Sequence, residues 1–179
     1  MKTLSYFLLP GLLLLAAGCH KKDADPAPAP TKTALLTAHT WKDVSQSLVI
    51  NGYEGTKANT NTNSYTFAAD GKLLSSQSGK LAQQLATWQL ASNDTQLVIT
   101  STGSSAATTY QLFELGDAKL AFGTSYDEAT IKQQVAAGGS QPVPALLLSA
   151  GNYTFPANTP TFQPGQVTSL QLKYTLGAN

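Results

Sequence analysis

The chain has 179 residues, of which 42% are hydrophobic and only 12% are charged. This length suits one domain, and the apolar fraction is enough for one core. All 11 basic residues are lysines, and they nearly balance the 10 acidic residues, which leaves a formal net charge of +1. A nearly neutral chain without arginine lacks the basic surface with which proteins bind phosphate backbones, so the composition argues against a nucleic-acid partner.

The N-terminal segment, residues 1–18, predicts a secretory signal peptide. Lys2 precedes an apolar stretch over residues 4–15, and small residues follow at positions 16–18. The apolar stretch is too short for a membrane-spanning helix, and Pro10 interrupts it. The alternative is a buried first helix of the fold, but a proline-rich segment follows instead of a packed element.

The only cysteine of the chain, Cys19, comes directly after these small residues. The sequence Ala-Ala-Gly-Cys resembles the lipobox of bacterial lipoproteins, although Leu15 stands one position earlier than the usual leucine. The resemblance implies cleavage before Cys19 and lipidation of its sulfur and new amino group. Each buried methylene contributes about 0.8 kcal/mol, so two or three acyl chains anchor a protein stably. An intrachain disulfide is excluded, and a metal or nucleophile pair with His20 is disfavoured because a mobile terminus holds no fixed geometry.

The residues after Cys19 predict a lipidated tether over residues 19–33. His20 rather than aspartate follows the cysteine, which resembles sorting to the bacterial outer membrane. Residues 21–23 form a short charged tract, which either resembles a surface-export signal or is a solvated part of the tether. Residues 25–31 alternate proline and alanine, which favours polyproline II. The extended tether would be on the order of 40 Å long.

From residue 34 to residue 179, runs of alternating apolar residues separated by turn residues predict an all-β domain. Short turns between successive strands indicate an antiparallel meander, which must close on itself or pack against a second sheet. Trp41 is out of phase with the alternation at Val44, Gln46 and Leu48, so we expect a bulge or a helical turn there. Residues 34–36 would supply that turn as a lid under the sheet. The alternating runs lie at residues 44–50, 65–67, 72–75, 88–90, 97–99, 110–115, 119–122 and 170–176. Residues 69–71 predict a hairpin turn between the second and third of these runs.

Two segments depart from the strand pattern. Ser125 and Glu128 match a capping box, Ile131 and Val135 share one helix face, and two glycines follow, so we predict a helix over residues 126–137. Residues 140–166 contain five prolines around two predicted short strands, 145–148 and 152–155, and form an insertion before the last strand. The polar residues 56–63 predict a long, mobile loop.

Four motifs in this order resemble the lipocalin-like domains of many bacterial lipoproteins. They are Leu35–Lys42, Tyr65–Gly71, Ala86–Leu90 and Tyr110–Leu115, and the resemblance covers about residues 34–124. It implies an antiparallel up-and-down barrel or half-barrel of about eight strands, often with an internal apolar cavity. The chain departs from lipocalins in having His39 where they have glycine. It also has no arginine to pack across the first-strand tryptophan, so we expect Lys173 to stack on Trp41 instead.

The sequence offers little for catalysis, so we expect a protein that is not an enzyme and that needs no cofactor or metal. Only two histidines exist, and His39 next to Trp41 is more typical of a capping or packing residue than of a base. Asp127 and Glu128 are neighbours in the predicted helix and point apart, so they form no carboxylate pair. Four aromatic residues either line a cavity or fill it, and both alternatives stay open: Tyr65, Phe67, Trp88 and Tyr110.

Together these patterns predict a lipid-anchored protein of the bacterial outer membrane that binds or carries a small apolar or amphipathic ligand. The alternative is a non-catalytic structural module that contacts protein or glycan partners through its polar loops or residues 140–166. Cys19, as the lipid-attachment site, is the only site residue that the sequence identifies. The sequence does not identify the ligand-binding residues.

Overall fold

The computed structural model describes residues 28–60, 62–77, 80–139 and 141–179. The predicted signal peptide, Cys19 and the first part of the tether lie outside the described residues. Nine strands are described: β1 (Thr40–Ile50), β2 (Tyr53–Ala58), β3 (Ser64–Phe67), β4 (Lys72–Ser76), β5 (Gln83–Ala91), β6 (Gln96–Ser101), β7 (Ala107–Leu115), β8 (Lys119–Asp127) and β9 (Ser169–Ala178). Three α-helices accompany them: α1 (Lys32–Ala38), α2 (Glu128–Ala137) and α3 (Pro142–Ser149).

Eight of these strands close into an antiparallel barrel. β1 pairs with β3, each strand from β3 to β9 pairs with the next, and β9 returns to pair with β1. The remaining strand, β2, pairs with residues 45–50 of β1, whereas β3 pairs only with residues 40–42. The predicted all-β meander and barrel are thus confirmed, in the closed rather than the half-open form.

One end of the barrel is a solid core under α1, as predicted for the lid. The hydroxyl of Thr31 accepts from the amide of Ala34 and begins the helix. Leu36 is fully buried, and its carbonyl accepts from Trp41 Nε1 at 2.9 Å. Apolar side chains from the surrounding strands complete this closed-end core: Trp41, Phe67, Leu73, Ala86, Trp88, Leu97, Leu120 and Leu176.

At the other end, β1, β8 and β9 extend past the barrel and are covered by residues 128–139 and 141–167, which we call the cap. A second apolar cluster joins the cap to these strands, with Leu48 and Ile50 from β1, Leu170 from β9, and Ile131 and Val143 from the cap. The prediction of strands within this segment was wrong. Residues 142–149 form α3, since an uninterrupted apolar run carries no two-residue period and Pro142 is favoured at a helix start.

The second predicted strand, residues 152–155, is also absent from the described cap. A short 3₁₀ helix ends at Asn152, and Thr154 makes only an isolated bridge to Thr56 on β2. The predicted helix 126–137 is confirmed from residue 128 onward. Its capping box was wrong, because β8 continues to Asp127, whose carboxylate accepts from the amide of Thr130 at 2.8 Å.

The phase change in β1 is a β-bulge, as predicted. The register with β9 shifts between Asp43 and Ser45, and the additional residue, Val44, is 52% exposed. Val44 therefore does not share a face with Gln46, contrary to the predicted alternation. The predicted loop 56–63 was wrong for residues 56–58, which belong to β2.

The expected stacking of Lys173 on Trp41 was also wrong. Lys173 lies opposite Ser47 in the β1–β9 register, and its ammonium pairs with Glu54 at 2.7 Å. Trp41 contacts His39 instead, with ring centroids 5.4 Å apart in an edge-to-face arrangement. His39 directly follows α1, so the packing role expected for this residue agrees with its position.

Candidate functional site

A cavity of about 390 Å³ occupies the barrel interior beside the closed-end core. This volume lies within the usual range of small-molecule pockets, roughly 300–1,000 Å³. Apolar side chains line one part of it: Phe67, Leu73, Ile99, Phe122 and Leu176. Polar or amphipathic side chains line the rest: Asp43, Gln46, Asn59, Tyr65, Tyr110 and Tyr174. The cavity is therefore amphipathic, with its apolar wall continuous with the closed-end core.

The bulge in β1 explains how two of the polar side chains reach this cavity. Asp43 and Gln46 are three residues apart, and a regular strand would place them on opposite faces. Because Val44 is an extra residue at the bulge, both side chains point into the barrel. The carbonyl of Val44 accepts from the amide of Asn59 at 3.1 Å, which fixes Asn59 at the cavity.

Asp43 and Tyr65 form the principal polar pair in the cavity. The hydroxyl of Tyr65 donates to Oδ2 of Asp43 at 3.0 Å. Burial raises the pKa of the Asp43 carboxyl, and the hydrogen bond from Tyr65 opposes that rise. Burial also raises the pKa of Tyr65, and the negative charge of Asp43 raises it further. The pair thus places a half-buried carboxylate beside a phenol that stays protonated at neutral pH.

Three rings from consecutive strands form an aromatic wall of the cavity. Tyr110 on β7 meets Phe122 on β8 edge to face, with centroids 5.3 Å apart. Phe122 is stacked on Tyr174 of β9 at 5.6 Å, and Tyr174 is edge-on to Tyr110 at 6.3 Å. Burial raises the pKa of both Tyr110 and Tyr174. The mutual packing holds these rings in fixed orientations around the cavity.

Among the described residues, the cap makes a polar contact with the cavity lining. The hydroxyl of Tyr153 donates to Oε1 of Gln46 at 3.4 Å, and burial raises the pKa of Tyr153. A second, separate pocket of about 390 Å³ lies within the cap, and its lining includes Val135, Leu147 and Phe162. Leu148 borders this second pocket and is 87% exposed.

The sequence left open whether four aromatic residues line a cavity or fill it. In the structure, three of them line the cavity and the fourth is packed in the core. Tyr65, Phe67 and Tyr110 line the cavity. Trp88 is buried in the closed-end core, and its Nε1 donates to the carbonyl of Ala68 at 3.1 Å. The sequence reasoning missed Asp43, although its position two residues after Trp41 was a usable signal for an inward-facing carboxylate.

The carboxylates at the start of α2 have partners within the helix. Asp127 caps the helix, and Glu128 pairs with Lys132 one turn later. Within the described ranges, no group of three or more histidine, cysteine, aspartate or glutamate residues is placed to hold a metal ion. The helices in the part of the chain that the structure covers are all too short or too polar to cross a membrane.

Comparisons with known proteins complete the description. No family model matches the chain, and neither a curated protein nor a solved structure matches it at a significant level.

Proposed function

We propose that the barrel is a lipocalin-like binding domain that takes up a small amphipathic ligand in its cavity, without catalysing a reaction. The observation that carries the proposal is the 390 Å³ cavity in the closed barrel, next to a core that is otherwise densely packed. Protein interiors leave few voids larger than a water molecule, so a cavity of this size favours a binding role. A structural module that acts through its surface would need no such space.

The distribution of side chains in the cavity supports an amphipathic rather than a purely apolar ligand. Phe67, Leu73 and Leu176 offer an apolar surface for a hydrocarbon or aromatic body. Asp43 and Tyr65 offer hydrogen-bonding groups for a polar head. Ligand pockets commonly combine a mostly apolar lining with a few polar groups that fix orientation.

We also propose that the domain is anchored to the bacterial outer membrane through a lipid on Cys19. The described chain enters the fold at α1, which covers the closed end of the barrel. A tether attached there would leave the cap at the end of the barrel remote from the attachment point. Replacing Cys19 by Ser should abolish lipidation and release the protein from membranes, whereas unchanged membrane association would contradict the anchor.

Binding can be tested with N-phenyl-1-naphthylamine, a neutral amphipathic probe whose fluorescence rises in apolar surroundings. Ile99→Trp fills the cavity, because Ile99 lines it. Leu85→Trp introduces the same ring at an exposed position of β5 and is the matched control. We expect the full chain and Leu85→Trp to bind the probe equally and Ile99→Trp to lose at least about tenfold in affinity. Equal binding by all three proteins would contradict the cavity as the binding site.

A further inference from the structure

The charge lining the cavity points to the chemical class of the ligand. Among the described residues that line it, Asp43 is the one charged side chain, and no lysine, arginine or histidine is among them. A half-buried carboxylate is costly unless hydrogen bonds or an opposite charge compensate it. The rise that burial causes in the pKa of Asp43 indicates that the hydrogen bond from Tyr65 does not offset the loss of hydration.

One candidate for an internal counter-charge is Lys57 on β2. Lys57 lies opposite Gln46 in the β1–β2 register and borders a shallow depression with Gln46 and Asn59. It does not line the cavity, and its side chain is exposed. Within the described residues, the ion pairs join other groups, and Asp43 is in none of them. The protein therefore leaves the negative charge of Asp43 without an ionic partner from its own described lysines.

The aromatic wall supplies the second feature that favours a positive charge. Tyr110, Phe122 and Tyr174 are packed at fixed angles to one another, so their rings meet the cavity in more than one orientation. The faces of such rings attract cations electrostatically, and the attraction increases when the cation is desolvated. A carboxylate and several aromatic rings around one cavity are the features that recognise an organic ammonium group.

We infer that the cavity binds a small organic cation, an ammonium head on an apolar or aromatic body, with Asp43 pairing with the head and the aromatic wall enclosing it. This inference rests on the proposed ligand-binding function and specifies its ligand class. A neutral apolar ligand would fill the space but leave Asp43 uncompensated. An anionic ligand would be repelled by Asp43, with no cation from the cavity lining to offset the repulsion.

The test uses three probes that share a phenyl ring and differ in the head group: 2-phenylethylammonium, 2-phenylethanol and 3-phenylpropanoate. Calorimetric titration of the full chain near neutral pH should give the tightest binding for the ammonium, at least about tenfold tighter than for the alcohol, and the weakest for the carboxylate. This order tests the inference in the unmodified protein. Equal affinity for the ammonium and the alcohol would overturn it.

Two variants locate the preference at the carboxylate. Asp43→Asn keeps an oxygen for the Tyr65 hydroxyl but removes the charge, so the preference for the ammonium over the alcohol should disappear. Tyr65→Phe keeps the charge and should retain the preference. An Asp43→Asn variant that still prefers the ammonium would overturn the inference. The two proposals fail differently: alcohol binding without charge preference leaves the binding function intact, whereas no binding of any probe contradicts both.

Discussion

The two halves of the barrel interior are built by the same strands with the same two-residue alternation, yet one half is solid and the other is hollow. At the closed end, Trp41, Trp88 and Leu97 fill the space beneath α1. In the cavity half, Asp43, Tyr65 and Tyr174 occupy equivalent inward positions and leave 390 Å³ open. The difference shows that backbone pattern specifies the barrel, whereas side-chain size and polarity decide which part of it can receive a ligand.

The largest expected effect is on stability, when one side chain is truncated in each half of the same strand. Leu97 is fully buried and Ile99, two residues along β6, lines the cavity. Leu97→Ala should lower the free energy of unfolding by about 3 kcal/mol, because it creates a void in a packed core. Ile99→Ala should cost about half as much, since it only enlarges an existing cavity. Urea denaturation measures both, and equal losses would contradict the division into two halves.

Alkaline titration of the tyrosines tests the same comparison, because these residues lie in the cavity half. The pKa values of Tyr65, Tyr110 and Tyr174 are raised above the ordinary value of 10.0 mainly by burial. In the unfolded chain these phenols ionise near pH 10, while in the folded protein they keep their protons. Stability should therefore be unaffected below pH 10 and should fall as the pH rises beyond it. Tyrosinate absorbance followed with and without denaturant measures this shift, and identical titration curves would contradict it.

The smallest expected effect concerns the stability of Asp43→Asn. Burial raises the folded-state pKa of Asp43 above its ordinary value of 3.8, so ionisation of this group costs stability at neutral pH. The Asn variant should be slightly more stable near pH 7, by less than about 1 kcal/mol. The difference should vanish as the pH falls through the folded-state pKa towards 3.8, because the native carboxyl is then neutral as well. A variant less stable than the native protein at pH 7 would show that the charge is already compensated internally.

Local signals in the sequence were sufficient for most of the barrel. The hairpin at residues 69–71, the alternation of β9 and the helical lid at residues 34–36 each have a local cause, and the structure confirms them. The strand predicted at residues 145–148 failed because an unbroken apolar run fits a helix as well as a strand. Asp43 was missed because the bulge lies directly after it, so the alternating run that begins at Val44 is out of phase with Asp43, and only the two-residue spacing from Trp41 marks it as inward-facing.

The cavity itself could not be predicted from local sequence patterns. Whether Tyr65 and Tyr110 line or fill the interior depends on how their volumes add to those of residues from strands distant in the sequence. That sum is a property of the closed barrel and not of any one strand. The lipid anchor at Cys19 stays a prediction, since this residue lies outside the described part of the chain.

The central claim, that a small amphipathic ligand enters the barrel cavity, is tested most directly by locating a bound probe by NMR. Intermolecular nuclear Overhauser effects from 2-phenylethylammonium to the full chain should connect the probe to the rings of Tyr110, Phe122 and Tyr174. Contacts instead with Leu147 and Leu148 would place the probe in the separate pocket of the cap and would contradict the claim.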